Sequence, residues 1–104
     1  VFRVLCLNTK NELLSVEDVS VGNLNSSIVH PREVFRIAVK KGAASVILLH
    51  NHPSGHPDPS RNDIDVTRRL SETGVLLGIP VLDHIIIGDG TYTSMKECSL
   101  LGLA

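Results

Sequence analysis

The segment ASVILLHNH, residues 44–52, places a continuous aliphatic run directly before a polar triplet. A strand that is covered on both faces carries such a run, whereas a strand with one solvated face alternates polar and apolar side chains. We therefore expect a central, buried strand here. This segment constrains the fold most, because sheets with buried strands of this kind are covered by helices.

Six other segments have the periodicity or the boundary residues of regular elements. We predict strands at 1–7, 13–22, 79–88 and 91–94, and helices at 30–42 and 60–74. Pro31 is a helix-start residue, and Gly42 and Gly74 are typical of helix ends. The order β-β-α-β-α-β-β predicts an α/β fold with a mixed β-sheet flanked by helices.

The length and composition are those of one globular domain over residues 1–104. A chain of 104 residues can bury a core, and 42% hydrophobic with 20% charged residues lies far from the composition of disordered proteins. Aromatic residues are only 3% of the chain, so the core must be aliphatic. No internal repeat or long linker divides the sequence.

Charge and cysteine usage exclude several functional classes. The 10 basic and 11 acidic residues give a formal charge of −1, so this segment shows no electrostatic footprint for nucleic acid. Cys6 and Cys98 form no C-x-x-C pattern, and no signal peptide is visible, which favours reduced thiols in a cytoplasmic protein. No apolar run approaches the roughly 18 residues that span a bilayer.

The end of the aliphatic strand is the start of a candidate metal site. Residues two apart on a strand share a face, so His50 and His52 project together, while Ser60 and Asp63 share one side of the next helix's first turn. Two imidazoles and a carboxylate suit Zn²⁺ with a fourth position open to water. Because zinc lowers the pKa of bound water to about 7, such a site is hydrolytic, and the Ser60 hydroxyl could stabilise an oxyanion.

A structural interpretation of the same residues is also open. S-x-x-D before an apolar run is similar to a capping box, with Ser60 as N-cap and Asp63 at the third helical position. For these two residues alone the cap is the better explanation, and H-x-H alone is a weak signal. The conjunction of the two motifs across a Pro/Gly-rich loop favours a metal site, with which the cap can coexist.

These residues resemble a known family. His50-x-His52-x7-Ser60-x2-Asp63 matches the JAMM (MPN+) metalloprotease motif, and the strings HPRE, HNHPSG and LDH are similar to those of the RadC-type JAB domain, found in bacterial proteins named for DNA repair. The resemblance extends over essentially the whole chain. It implies a cytidine-deaminase-like, three-layer architecture.

The resemblance also implies a function. His50, His52 and Asp63 would hold Zn²⁺ and Ser60 would assist at the oxyanion, in a hydrolase that cleaves a peptide or isopeptide bond. The peptide or protein substrate would dock as an added strand. The alternative is a non-catalytic metal-binding or partner-binding module that is accessory to DNA repair.

The family's general base is a glutamate just before the first strand. We therefore expect this residue upstream of Val1, in a longer protein of which this domain is the C-terminal part. Within the chain, Glu33 is the only acid that we nominate as a substitute. The segment alone is expected to bind metal and to hydrolyse poorly.

Other polar residues have weaker claims to function. His56 lies in the loop between His52 and Ser60, here called the ligand loop. It could approach the metal, although its glycine and proline neighbours favour exposure. Asp83 and His84 recur in the RadC pattern, but a polar pair inside a strand is more often a hydrogen-bonded core feature. His30 and Arg32 could bind an anion, and helix initiation is the better interpretation. The sequence indicates neither the physiological substrate nor the oligomeric state.

Overall fold

The computed structural model describes residues 2–19, 29–52 and 55–99. Seven elements occur in the predicted order: β1 (Phe2–Leu7), β2 (Leu13–Val19), α1 (Pro31–Lys40), β3 (Ser45–Asn51), α2 (Arg61–Leu77), β4 (Val81–Ile87) and β5 (Tyr92–Ser94). The last three residues of the predicted strand 13–22 lie outside the described residues. In the described ranges, no helix has the length and apolar character needed to cross a bilayer.

The strands form one mixed sheet in the order β2-β1-β3-β4-β5. Strands β3 and β4 are parallel, and every other neighbouring pair is antiparallel. The aliphatic strand β3 is central, as its sequence predicts. The α/β class with a mixed sheet is therefore confirmed.

Both helices pack on one face of the sheet. Because β1 and β3 pair with Val4 opposite Leu48, these side chains share a face, and they belong to the same core cluster as Val34 of α1 and Leu70 of α2. All four are fully buried. The other face of the sheet carries half-buried side chains such as Leu49.

The sequence predicts that the second helix ends at Gly74, and this prediction is wrong. The helix continues to Leu77, and Gly78 takes the left-handed C-cap conformation with φ +73. Gly74 is needed for another reason, because a Cβ atom there would lie 2.5 Å from the carbonyl oxygen of Ile79. The glycine lets the helix approach the chain that enters β4.

The crossover from β3 through α2 to β4 positions the candidate site. His50 lies at the carboxyl end of β3, and α2 begins at Arg61 after a loop that contains three prolines. The N-terminus of α2 returns beside the end of β3, as the contacts between Asp63 and the histidines show. Side chains from the strand end and the first helical turn therefore meet.

Candidate metal centre

The structure brings His50, His52 and Asp63 together. One potential ligand atom from each residue lies within 4.8 Å of the corresponding atoms of the other two. His50 and Asp63 are buried, and His52 is partly buried at the end of β3. Of the residues that the structure describes, these three are the ones that form such a group.

Hydrogen bonding determines which nitrogen of His52 can bind a cation. Its Nδ1 lies 2.9 Å from the main-chain oxygen of His56. A carbonyl oxygen only accepts, so Nδ1 carries the hydrogen and Nε2 of the neutral ring has a free lone pair. That nitrogen lies 2.8 Å from Asp63 Oδ2. Two lone pairs face one another, and a proton or a metal ion is needed to make the contact favourable.

The second histidine supplies a buried donor atom without a hydrogen bond. His50 Nδ1 lies 3.4 Å from Asp63 Oδ1 and has no hydrogen-bond partner in the described residues. Ligands of a tetrahedral zinc ion, with bonds of about 2.0 Å, are about 3.3 Å apart. The His50–Asp63 separation therefore suits such an ion, and the shorter His52–Asp63 contact requires a small opening.

The Asp63 carboxylate is held in its charged form. Burial alone would raise its pKa, but the close contacts with His50 and His52 and the hydrogen bonding with Ser60 outweigh burial and hold the pKa well below its usual range. The Ser60 amide donates to Oδ2 at 2.8 Å. An anionic oxygen is the form that a metal ligand requires.

Ser60 and Asp63 form the helix cap that the alternative interpretation predicts. Ser60 is the N-cap of α2, and its Oγ accepts a hydrogen bond from the Asp63 amide at 3.1 Å. The cap uses an oxygen lone pair and leaves the hydroxyl hydrogen available. A complete capping box and a metal-ligand group therefore coexist in the same residues.

Other candidates do not join the ligand group. Glu33 Oε2 is 2.6 Å from an Arg36 guanidinium nitrogen, and its carboxylate belongs to a surface ion pair on α1. His56 is not a member of the ligand group, and its main-chain carbonyl lies against His52 Nδ1. His30 is the N-cap residue of α1, in agreement with helix initiation.

Asp83 and His84 have separate structural contacts. Asp83 accepts hydrogen bonds from the Ser94 hydroxyl and from the Lys96 amide, which tie β4 to β5 and the turn after it. His84 is fully buried, and its Nδ1 lies 2.6 Å from Thr67 Oγ1. Each of the two side chains therefore has its own hydrogen-bond partners within the fold, as the structural interpretation predicts.

Sequence reasoning missed two neighbours of the ligands. The Phe2 ring lies 5.8 Å from the His50 ring and 5.6 Å from the His84 ring, centroid to centroid. Thr67 follows Asp63 by one helical turn and donates to its main-chain oxygen at 2.6 Å. The i,i+4 spacing of Thr67 from a ligand is a signal that could have found it.

A turn of the sheet supports the ligand loop. The His52 amide donates to the Ile87 carbonyl at 3.0 Å, and the Asp89 amide donates to the Gly55 carbonyl at 2.7 Å. A Cβ atom on Gly88 would lie 2.4 Å from that same Gly55 oxygen. The loop that orients His52 therefore rests directly on the β4–β5 turn.

The geometry agrees with the comparison to known proteins, in which residues 1–100 match the RadC-like JAB domain family. The chain belongs to this family. A UPF0758 protein of Moorella thermoacetica is 62% identical over 100 residues, which cover 96% of this chain and 44% of the relative. A UPF0758 protein of Alkaliphilus oremlandii is 57% identical over 101 residues, with 97% and 44% covered.

The RadC-like JAB domain spans less than half the length of these curated relatives. The match includes the whole described region, from Phe2 to Ser99, and therefore every residue of the candidate metal centre.

Proposed function

We propose that this RadC-like JAB domain is a zinc-dependent hydrolase of the JAMM type that cleaves a peptide or isopeptide bond. One observation carries the proposal: His52 directs Nδ1 to the His56 carbonyl and Nε2 to the Asp63 carboxylate at 2.8 Å, beside a His50 Nδ1 that has no hydrogen-bond partner among the described residues. This arrangement is unfavourable without a cation and matches a three-ligand zinc set.

Each residue of the site would have a separate role in hydrolysis. His50, His52 and Asp63 would hold the ion, which when bound supplies Lewis-acid polarisation of the scissile carbonyl and a more acidic water. Ser60 would donate its hydroxyl hydrogen to the oxygen of the scissile carbonyl as negative charge develops there. The His56 carbonyl would keep His52 in the required tautomer.

The sheet register supports an upstream general base. Strand β1 pairs antiparallel with β3 and places Phe2 opposite His50. Continued by two further cross-strand pairs toward the N-terminus, this register would place a residue that directly precedes Val1 opposite His52, on the same face. A glutamate at that position would reach the ligand group and would accept the proton of the attacking water.

An extended substrate would bind beside the site as an added strand. Strand β5 is the last strand in the sheet that the described residues form, and the β4–β5 turn contacts the ligand loop. Main-chain hydrogen bonds along β5 would align the chain of a peptide with the ligand group.

A second function, a non-catalytic metal-binding or partner-binding module, is favoured by one observation. Asp63 is the only carboxylate in the ligand group among the described residues, and Glu33 is paired with Arg36 elsewhere. Without a base from outside the described chain, the centre would hold metal and turn over slowly.

Metal analysis tests the site itself. We expect about one zinc per chain in protein purified without chelator, and loss of that zinc in His52→Ala and in Asp63→Asn. His30→Ala is the matched control, because His30 is an exposed histidine at the start of α1. Wild-type protein without metal, or equal zinc in all variants, would contradict the proposal.

Turnover is tested on a longer protein in which a glutamate directly precedes Val1. We expect it to cleave a fluorogenic peptide library or a lysine-linked isopeptide in a zinc-dependent manner, and Asp63→Asn to abolish cleavage. Zinc binding without cleavage of either probe would favour the non-catalytic module.

A further inference from the structure

A buried hydrogen-bonded path joins β4 to the helical turn that carries Asp63. The Thr67 hydroxyl lies 2.6 Å from His84 Nδ1 and 2.6 Å from the main-chain oxygen of Asp63. Thr67 and His84 are both fully buried. The path therefore connects the helix to the sheet directly behind a candidate metal ligand.

The donors in this path follow from its chemistry. The Asp63 carbonyl oxygen only accepts, so the Thr67 hydroxyl uses its single hydrogen there. His84 must then donate from Nδ1 to a lone pair of the Thr67 oxygen. Its Nε2 keeps a lone pair, and that atom is buried without a partner in the described residues.

The surroundings of His84 favour a neutral, fixed ring. Burial, followed by the electrostatic interaction with His50, lowers the pKa of His84 to about 4. The ring packs against Phe2 and lies 6.1 Å from the His50 ring, centroid to centroid. Strand register places His84 opposite Leu48, on the face from which His50 projects.

We propose that Thr67 and His84 are positioning residues that hold the first turn of α2 so that the Asp63 carboxylate faces His50 and His52. Ser60 caps that turn from the solvent side, and the Thr67–His84 pair anchors it from the core. The inference rests on the proposed metal site. Neither residue belongs to the ligand group itself.

The main test measures metal affinity in Thr67→Val, which keeps the shape of the side chain and removes the hydroxyl. We expect zinc to bind about 10- to 100-fold more weakly, as happens when groups that orient ligands are lost. The cobalt-substituted protein should also show shifted d–d absorption bands. Thr67→Ser restores the hydroxyl and should recover most of the affinity and the original spectrum.

The same helix offers a matched control. Thr73 donates its hydroxyl to the Arg69 carbonyl at 2.8 Å, four residues earlier, which is the same bond as that of Thr67. It lies in a more exposed position and is not part of the site. Thr73→Val should leave zinc affinity and the cobalt spectrum unchanged. Equal zinc affinity and equal spectra for Thr67→Val and Thr73→Val would overturn the inference.

A second pair of variants tests His84 and serves also if Thr67→Val does not fold. The amide of Asn places a donor near the position of the histidine Nδ1, whereas Leu offers none. His84→Asn should therefore bind zinc more tightly than His84→Leu, and equal affinities would contradict the role of His84. Failure of the wild type to bind zinc would instead overturn the metal site.

Discussion

Ser60 shows how one side chain can serve both the fold and the chemistry. Its oxygen accepts from the Asp63 amide, and its own amide donates to the Asp63 carboxylate. The local pattern S-x-x-D predicts this cap, because it needs only residues within one helical turn. The hydroxyl hydrogen remains for a second task, which depends on what lies beyond the turn.

Two substitutions of Ser60 separate these tasks. Ser60→Ala should lower the free energy of unfolding by about 1 kcal/mol through loss of the cap, whereas Ser60→Gly should lower it by only a few tenths. Both should keep zinc bound and reduce kcat of the longer protein by about 100- to 1,000-fold, because both lack the donor to the oxyanion. Chemical denaturation and steady-state kinetics measure the two effects. If Ser60→Gly kept full activity, the oxyanion role would be wrong.

The ligand loop and the β4–β5 turn act as one unit at the level of elements. Gly88 allows the turn to approach the Gly55 carbonyl, and the His56 carbonyl in that loop orients His52. The contact between Gly88 and Gly55 joins segments that are more than thirty positions apart in the sequence. The loop sequence alone indicates a rigid spacer but not the surface on which it rests.

Gly88→Ala should disturb this unit. The new Cβ atom would meet the Gly55 oxygen at 2.4 Å, so the loop must move, with a loss of about 1–3 kcal/mol in the free energy of unfolding and weaker zinc binding. Gly74→Ala is the control, because its Cβ atom would meet the Ile79 carbonyl at 2.5 Å, outside the ligand loop. It should destabilise the fold without changing zinc affinity. Chelator competition and thermal denaturation distinguish the two variants, and equal zinc affinities would contradict the coupling.

At the scale of the whole molecule, a buried neutral histidine couples stability to pH. The pKa of His84 is about 4 in the folded protein, and an exposed histidine titrates near 6.5. Between these values the unfolded chain binds a proton that the folded chain does not. Stability therefore falls as pH decreases from 6.5 to 4.

We expect this histidine to contribute at most about 3 kcal/mol to the loss over that interval. Denaturation of the metal-free protein with chelator present, from pH 7 to pH 4, measures the loss, and His84→Asn should show a flatter dependence. The depressed pKa of Asp63 acts in a lower pH window, because its contribution to stability is lost only as pH falls below the ordinary aspartate value of 3.8. Parallel curves for wild type and His84→Asn would contradict the assignment to His84.

Much of the fold and part of the candidate metal centre can be predicted from the sequence alone. The element order, the central position of β3, the helix cap and the common face of His50 and His52 all follow from local periodicity and capping. The family is equally evident in the motif, and the comparison confirms it. These features depend on residues within a few positions of one another.

Only the tertiary structure decided the rest. The sequence predicts that α2 ends at Gly74, but the helix ends at Leu77 with Gly78 as its C-cap, and Gly74 lies against the carbonyl of Ile79. Tertiary structure also decides that the His56 carbonyl lies against His52 Nδ1 and that His84 contacts Thr67. Each depends on close approach and hydrogen-bond direction between separate elements, and no local periodicity encodes these.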